Sequence, residues 1–283
     1  MAFKRILCAV DFSESSTAAL AVAAEFAQAS GSLLLCHVVG RDSRPRAARL
    51  RNAGEAFEET RAGRERDLEQ ARRGVAAKVA AAEALVIVAS SVWDALTSEA
   101  ANWRADLVVI GGGERHNVMG STSERVVRHA PCSVLAVARS GCALERVLCA
   151  VDFSGPSREA MTVAADVAGK HGARLTLLHV VSNQERALAA PAAVLGGALD
   201  ACQHAAETLR GWAVELQPRA RSVVAVAVAE GRTADAIVGA ARNHNADLMV
   251  VGTHGRTGIQ RALVGSVAEE VVRWAECTIL VVR

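Results

Sequence analysis

Short apolar runs without polar alternation recur along the chain, and stretches with helical spacing separate them. The first run covers residues 6–10, and a helical pattern follows over about 15–30. A second run ends at Val39, and a long helical stretch rich in Arg and Glu comes next. Runs at 85–89, up to Gly111 and at 133–137 follow, with helices predicted over 92–103 and between the last two runs. Strands that are apolar on both faces and alternate with helices predict a parallel sheet covered on both sides. Right-handed crossovers then give a doubly wound α/β fold.

The same rhythm is played twice. RILCAVDFS starts at Arg5 and RVLCAVDFS at Arg146, an offset of 141 residues. The second copy continues with a helix over 157–171, a run ending at Val181, an Ala-rich helical stretch, and a run at 223–228. A helix over 233–244 and a run ending at Gly252 follow, and then the last helix and strand. ADLVVIG matches ADLMVVG, and PCSVLAV matches ECTILVV. The period is too long for a solenoid and reads as duplication of a whole domain. Two domains are therefore predicted, 1–140 and 141–283, meeting near residues 139–145, each with a five-stranded parallel sheet.

Composition narrows the function. Hydrophobic residues make up 51% of the chain, enough for full cores, yet it holds five Phe, four Trp and no Tyr. The net charge is +2, and the arginines between Arg41 and Arg73 alternate with acidic residues. That reads as a solvated, ion-paired helix, and the scarcity of aromatics argues against stacking on nucleic-acid bases. The seven Cys form no CxxC pair and sit mostly in apolar runs, which reads as small buried hydrophobes in a reducing compartment. No Cys/His cluster has metal-ligand spacing, so no metal site is expected. No apolar stretch is long enough to cross a bilayer. A cytoplasmic protein without membrane or nucleic-acid partners is expected.

In a doubly wound sheet a ligand binds beyond the carboxyl ends of the strands, where strand order reverses. Three segments of the second copy should meet there: Asp152, the pair Val180 and Val181, and the segment GTHGRTGIQRALVGS from Gly252 to Ser266. Gly252 and Gly255 would let backbone approach a phosphate with no Cβ in the way. Gly265 and Ser266 open the last helix, whose free N–H groups suit an anion. Ser266 reads either as a phosphate donor or as the helix cap. Asp152 reads equally as a functional residue, accepting from a ribose hydroxyl or holding a divalent cation through water, or as a helix cap. His37 and His179 repeat beside the second strand; the repetition points to a role in the site, and the preferred reading is a packed or hydrogen-bonded residue at a strand end. Neither a Walker loop nor a GxGxxG motif after the first strand is present.

With these residues in view, the chain resembles the universal stress protein family in its tandem two-domain form. The resemblance covers both copies. Its most specific part is the pattern Gly, two residues, Gly, nine residues, Gly, Ser, met by Gly252, Gly255, Gly265 and Ser266. It implies a Rossmann-like fold of the adenine nucleotide alpha hydrolase type. It also implies ATP at the second copy, accompanied by Mg²⁺ or Mn²⁺. Asp152 and Val180 or Val181 would contact adenosine, and Gly252, His254, Gly255, Arg256, Gly265, Ser266 and Val267 would hold the phosphates. Family members pair through their last strands, so the two copies would form an intramolecular pseudo-dimer; further homodimerisation stays open.

The first copy departs from the pattern. Gly111 to Gly120 spans nine positions against thirteen from Gly252 to Gly265, and Glu114 stands where Gly255 does. A carboxylate beside a triphosphate is repelled, so the first copy is expected to bind ATP weakly or not at all. The expected function is a nucleotide-dependent stress or signalling protein with an unidentified protein partner and no dedicated catalytic residue. The alternatives are a ligand-independent interaction protein, or a slow ATPase or adenylyl-transfer enzyme. The last would need an HxGH-like signature, of which GTHG carries one His.

Overall fold

A computed structural model describes residues 3–40, 53–112, 120–138, 144–183, 185, 197–253 and 265–283. The chain divides into two compact units, the first running to Gly141 and the second from Cys142 to Arg283. The first contains β1 (Arg5–Ala9), α1 (Glu14–Ala27), β2 (Ser32–Gly40), α2 (Ala53–Ala76), β3 (Ala81–Ala89), α3 (Val92–Asn102), β4 (Leu107–Gly111), α4 (Ser121–His129) and β5 (Ser133–Val137). Its strands lie in the order β3-β2-β1-β4-β5, all neighbouring pairs parallel.

The second unit contains β6 (Arg146–Ala150), α5 (Gly155–His171), β7 (Arg174–Ser182), α6 (Gly197–Ala220), β8 (Val224–Gly231), α7 (Thr233–Asn243), β9 (Leu248–Gly252), α8 (Ser266–Trp274) and β10 (Thr278–Val282). Its order is β8-β7-β6-β9-β10, again parallel throughout. In each unit the chain winds outward from the first strand, then returns to its other side. The switch point therefore lies between β1 and β4, and between β6 and β9, as predicted.

The central strands are apolar on both faces because helices cover both. Ile6, Leu7, Leu107, Leu148, Leu175 and Leu177 are fully buried. The third strands are longer than the hydrophobic runs suggest. β3 begins at Ala81, not residue 85, because it pairs residue for residue with all nine of β2, from Ser32↔Ala81 to Gly40↔Ala89. These outer strands are only half-buried, so a run of apolar residues marks only part of their length. Cys8, Cys36 and Cys149 are buried as expected, and burial pushes the Cys36 and Cys149 thiols up to about 12. Cys132, Cys202 and Cys277 are half-buried instead, because they lie just outside the strand cores or on a helix flank.

A carboxylate ties the amino-terminal end of each sheet. Asp106 accepts from the backbone N–H groups of Lys4 and Arg5 at 2.8 and 3.0 Å. Asp247 does the same for Glu145 and Arg146 at 3.1 and 2.8 Å. In the second unit, α5 and α6 cross where Gly169 has no side chain. A Cβ there would stand 2.0 Å from the Arg219 carbonyl oxygen.

Candidate functional site

The site begins with DFS, the turn between the first strand and first helix of each unit. Asp152 follows β6, and its Oδ1 accepts from the Ser154 N–H at 3.0 Å and the Ser154 hydroxyl at 2.5 Å. Ser154, not Asp152, is the N-cap of α5; its Oγ accepts from Ser157 N–H at 3.3 Å. The cap reading of Asp152 is thus corrected: a serine two residues on has the reach to the first-turn amide, and the aspartate orients that serine. Asp11 and Ser13 repeat the arrangement at 3.0 and 2.5 Å. Burial pushes the Asp11 carboxyl up, but hydrogen bonds from Ser13 and Ser16 outweigh it and hold the group below its usual range.

The residue between Asp and Ser is a phenylalanine in the left-handed region in both units, Phe12 at φ 65° and Phe153 at φ 64°. A bulky residue held there costs roughly 1–2 kcal/mol. Its ring is what offsets the cost. Phe153 lies 4.4 Å from the His179 ring and 5.3 Å, edge-on, from Trp212 on α6. Phe12 lies 4.9 Å from His37, with the Arg64 guanidinium of α2 5.1 Å above it.

The two histidines latch the strand ends. His179 Nδ1 is 2.8 Å from the Val151 carbonyl, and His37 Nδ1 is 2.6 Å from that of Val10. A carbonyl only accepts, so Nδ1 carries the proton in both. Burial lowers the pKa of His37; the Val10 carbonyl opposes this, and the Arg64 cation adds to it. An NMR titration should therefore place the His37 midpoint below the ordinary 6.5, and Arg64→Gln should move it upward. Because the folded value is depressed, this residue's contribution to stability is present above pH 6.5 and is lost as pH falls below it.

Val180 and Val181 are both buried. Successive strand residues face opposite sides of a sheet, so the two cannot share one role. In the first unit a cleft of about 440 Å³ opens at the carboxyl ends of β1, β2 and β4. Asp11, Val38, Gly111 and the start of α4 line it, and Val39 does not. Val38 follows His37 as Val180 follows His179, so Val180 corresponds to the cleft wall.

Gly252 ends β9 and packs closely against the start of α5. A Cβ there would lie 3.3 Å from the Pro156 carbonyl oxygen, and at the matching Gly111 it would lie 2.7 Å from Ser15. Both glycines let the first turn of a helix press onto the end of a strand. They therefore shape the site by packing and do not simply open backbone to a phosphate. The loop that follows is tied at its base: Gly265 N–H donates to the Thr253 carbonyl at 2.6 Å, and Thr253 N–H donates to the Val282 carbonyl at 3.0 Å. His254, Gly255 and Arg256 lie within this loop, outside the described residues.

Gly265 is the N-cap of α8 and no side chain caps the helix. Ser266 is therefore the first helical residue, which corrects the cap reading of its hydroxyl. Ser266 and Val267 are exposed at this start, where no side chain caps the first turn. The free N–H groups of such a helix start suit an anion. Among the described residues no cluster of three His, Cys, Asp or Glu could hold a metal ion, and none of their helices is long and apolar enough to cross a membrane.

Two parallel α/β units in tandem, each wound about a switch point, place the chain among doubly wound α/β proteins. The model of the universal stress protein family matches residues 2–138 and again 143–283, and the chain belongs to that family. It is 31% identical over 189 residues to a universal stress protein of Mycobacterium tuberculosis, a match covering 63% of this chain and 62% of that protein's length. It is 34% identical over 139 residues to one from Thermus aquaticus, covering 48% of this chain and 97% of the relative. The crystal structure of a universal stress protein from Archaeoglobus fulgidus superposes with a TM-score of 0.70 at 19% identity, covering 99% of this chain and 98% of that one. A putative universal stress protein from Pseudomonas aeruginosa gives 0.67 at 20% identity, covering 99% and 93%. At these identities the likeness concerns the fold.

Proposed function

We propose that the second unit, residues 141–283, binds ATP with Mg²⁺ or Mn²⁺, and that the chain acts in the cytoplasm as a nucleotide-dependent stress or signalling protein. Asp152 accepts from the ribose, Val180 flanks the base, and the loop from Gly252 to Gly265 wraps the phosphates with His254, Gly255 and Arg256. Ser266, Val267 and the first-turn amides of α8 receive the terminal phosphates. One observation carries the reading: a glycine-spaced loop returns, through the Gly265–Thr253 hydrogen bond, onto a helix start that no side chain caps. Ordering of that loop by nucleotide would change the surface a protein partner reads.

Calorimetric titration of ATP with Mg²⁺ into the nucleotide-free chain tests this, beside Gly255→Glu. One site per chain, lost in the variant, is the expected result. No binding by the wild-type chain would overturn the proposal in favour of a ligand-independent interaction protein. Release of pyrophosphate on turnover would replace it with adenylyl transfer.

A further inference from the structure

The turn that carries Asp152 is held by a helix far along the chain. Phe153, between Asp152 and Ser154, sits at φ 64°. A bulky residue is disfavoured in that region by about 5- to 30-fold. Asp152 depends on it. Its Oδ1 accepts from the Ser154 N–H and hydroxyl at 3.0 and 2.5 Å, and both bonds need Ser154 folded back over the carboxylate, which the Phe153 backbone provides. Were Phe153 to relax to an extended or right-handed conformation, Ser154 would leave and the carboxylate would lose its fixed orientation.

Two rings oppose that relaxation. His179, on β7, lies 4.4 Å from the Phe153 ring and is itself tied by Nδ1 to the Val151 carbonyl at 2.8 Å. Trp212, on α6, meets the Phe153 ring edge-on, with 5.3 Å between centroids and 77° between planes. An aromatic pair of this kind shifts an equilibrium by about 2- to 12-fold. One contact therefore falls short of the upper part of the strain, and the two together match it. The indole is fixed in turn. The Arg158 guanidinium lies 5.0 Å over its ring, and Arg158 Nη2 donates to Glu215, also on α6, at 2.8 Å. The Arg158 N–H donates to the Ser154 carbonyl at 3.1 Å. These contacts close a circuit from the turn to α5, from α5 to α6, and from α6 back to the turn.

Trp212 reaches the site only through Phe153. In the first unit Asp11 and Ser13 line the cleft, and among the described residues neither Phe12 nor any residue of α2 does. The turn of the second unit repeats that of the first in φ and in hydrogen bonds. We infer that Trp212 is a positioning residue of the proposed nucleotide site, which holds the Asp152 carboxylate where ribose hydroxyls meet it. This role rests on the ATP reading of the second unit; the hold on the turn can be read without nucleotide.

The test uses the full nucleotide-free chain and two variants. Trp212→Leu keeps an apolar side chain against α5 and removes the aromatic edge, whereas Trp212→Phe keeps the edge. Each is titrated with ATP and with dideoxy-ATP, which lacks both ribose hydroxyls, in the presence of Mg²⁺. Trp212→Leu should weaken ATP by about 3- to 10-fold. It should change dideoxy-ATP by less than about twofold, because Asp152 has no hydroxyl there to accept from. Trp212→Phe should bind ATP as the parent does. Unchanged ATP affinity in Trp212→Leu, equal losses for both nucleotides, or a loss that Trp212→Phe shares would overturn the inference, the last two by showing that the indole acts through general packing of α6. Amide hydrogen exchange of the ligand-free chain gives the second reading. The Ser154 N–H should exchange at least about fivefold faster in Trp212→Leu, with the amides of β9 unchanged, and at the parent rate in Trp212→Phe. If the parent chain binds no ATP while Ser154 responds in this way, the ATP reading fails and the hold of Trp212 on the turn stands. If ATP binds and Ser154 does not respond, the ATP reading stands and the positioning role falls.

Discussion

Ser266→Glu is expected to weaken ATP binding by roughly 100-fold or more while leaving the free protein as stable as before or slightly more so. The two effects have opposite signs at one position. Ser266 is the first residue of α8, exposed, and N-capped by a glycine that offers no side chain. A carboxylate there meets the positive end of the helix dipole and should add about 0.3–1 kcal/mol of stability. The same carboxylate within about 4 Å of a bound phosphate opposes it by up to about 4 kcal/mol near a protein surface, and about 2.7 kcal/mol already corresponds to 100-fold. Calorimetry for affinity and differential scanning for the free protein read the two separately. Unchanged affinity would show that the phosphates do not lie on α8. Lost affinity together with a lower melting temperature would mean that the change acts through the fold.

Gly169→Ala is the second change with a large expected effect. Alanine normally favours a helix over glycine by about 1 kcal/mol, so propensity alone predicts stabilisation. Packing predicts the reverse, because the new Cβ would stand 2.0 Å from the carbonyl oxygen of Arg219. Backbone cannot swing aside as a flexible side chain would. α5 and α6 must separate, at a cost near the upper end of about 1–3 kcal/mol for overpacking. Net destabilisation of about 2 kcal/mol should lower the melting temperature of the second unit by about 4–8 °C. Gly211→Ala on α6 is the control, since nothing lies within 4 Å of a Cβ there, and it should melt at the same temperature or higher. A Gly169→Ala protein as stable as the parent would mean that the α5–α6 crossing is looser than described.

The duplication and the parallel α/β class were legible in the sequence, because apolar runs without alternation require cover on both faces; the strand order came from the structure. The second loop's glycine spacing and the repeated DFS turn were equally visible as patterns. Their physical roles were not. Asp152 and Ser154 stand two apart, and only the turn geometry shows that the serine caps α5 while the aspartate holds the serine. Gly252 reads as a phosphate glycine in the sequence, and only the structure adds that its missing Cβ also admits the Pro156 carbonyl. Val180 and Val181 are indistinguishable in sequence, and the pleat separates them. Arg64 and Trp212 are distant in sequence from the phenylalanines they cover, so no local signal links them to the site. In the first unit the shorter, acidic loop argues in sequence against ATP, and the structure adds the cleft of about 440 Å³ that the unit keeps at the ends of its strands. Local pattern determined which elements form and in what order; contacts between residues far apart in the chain decided what each site residue does.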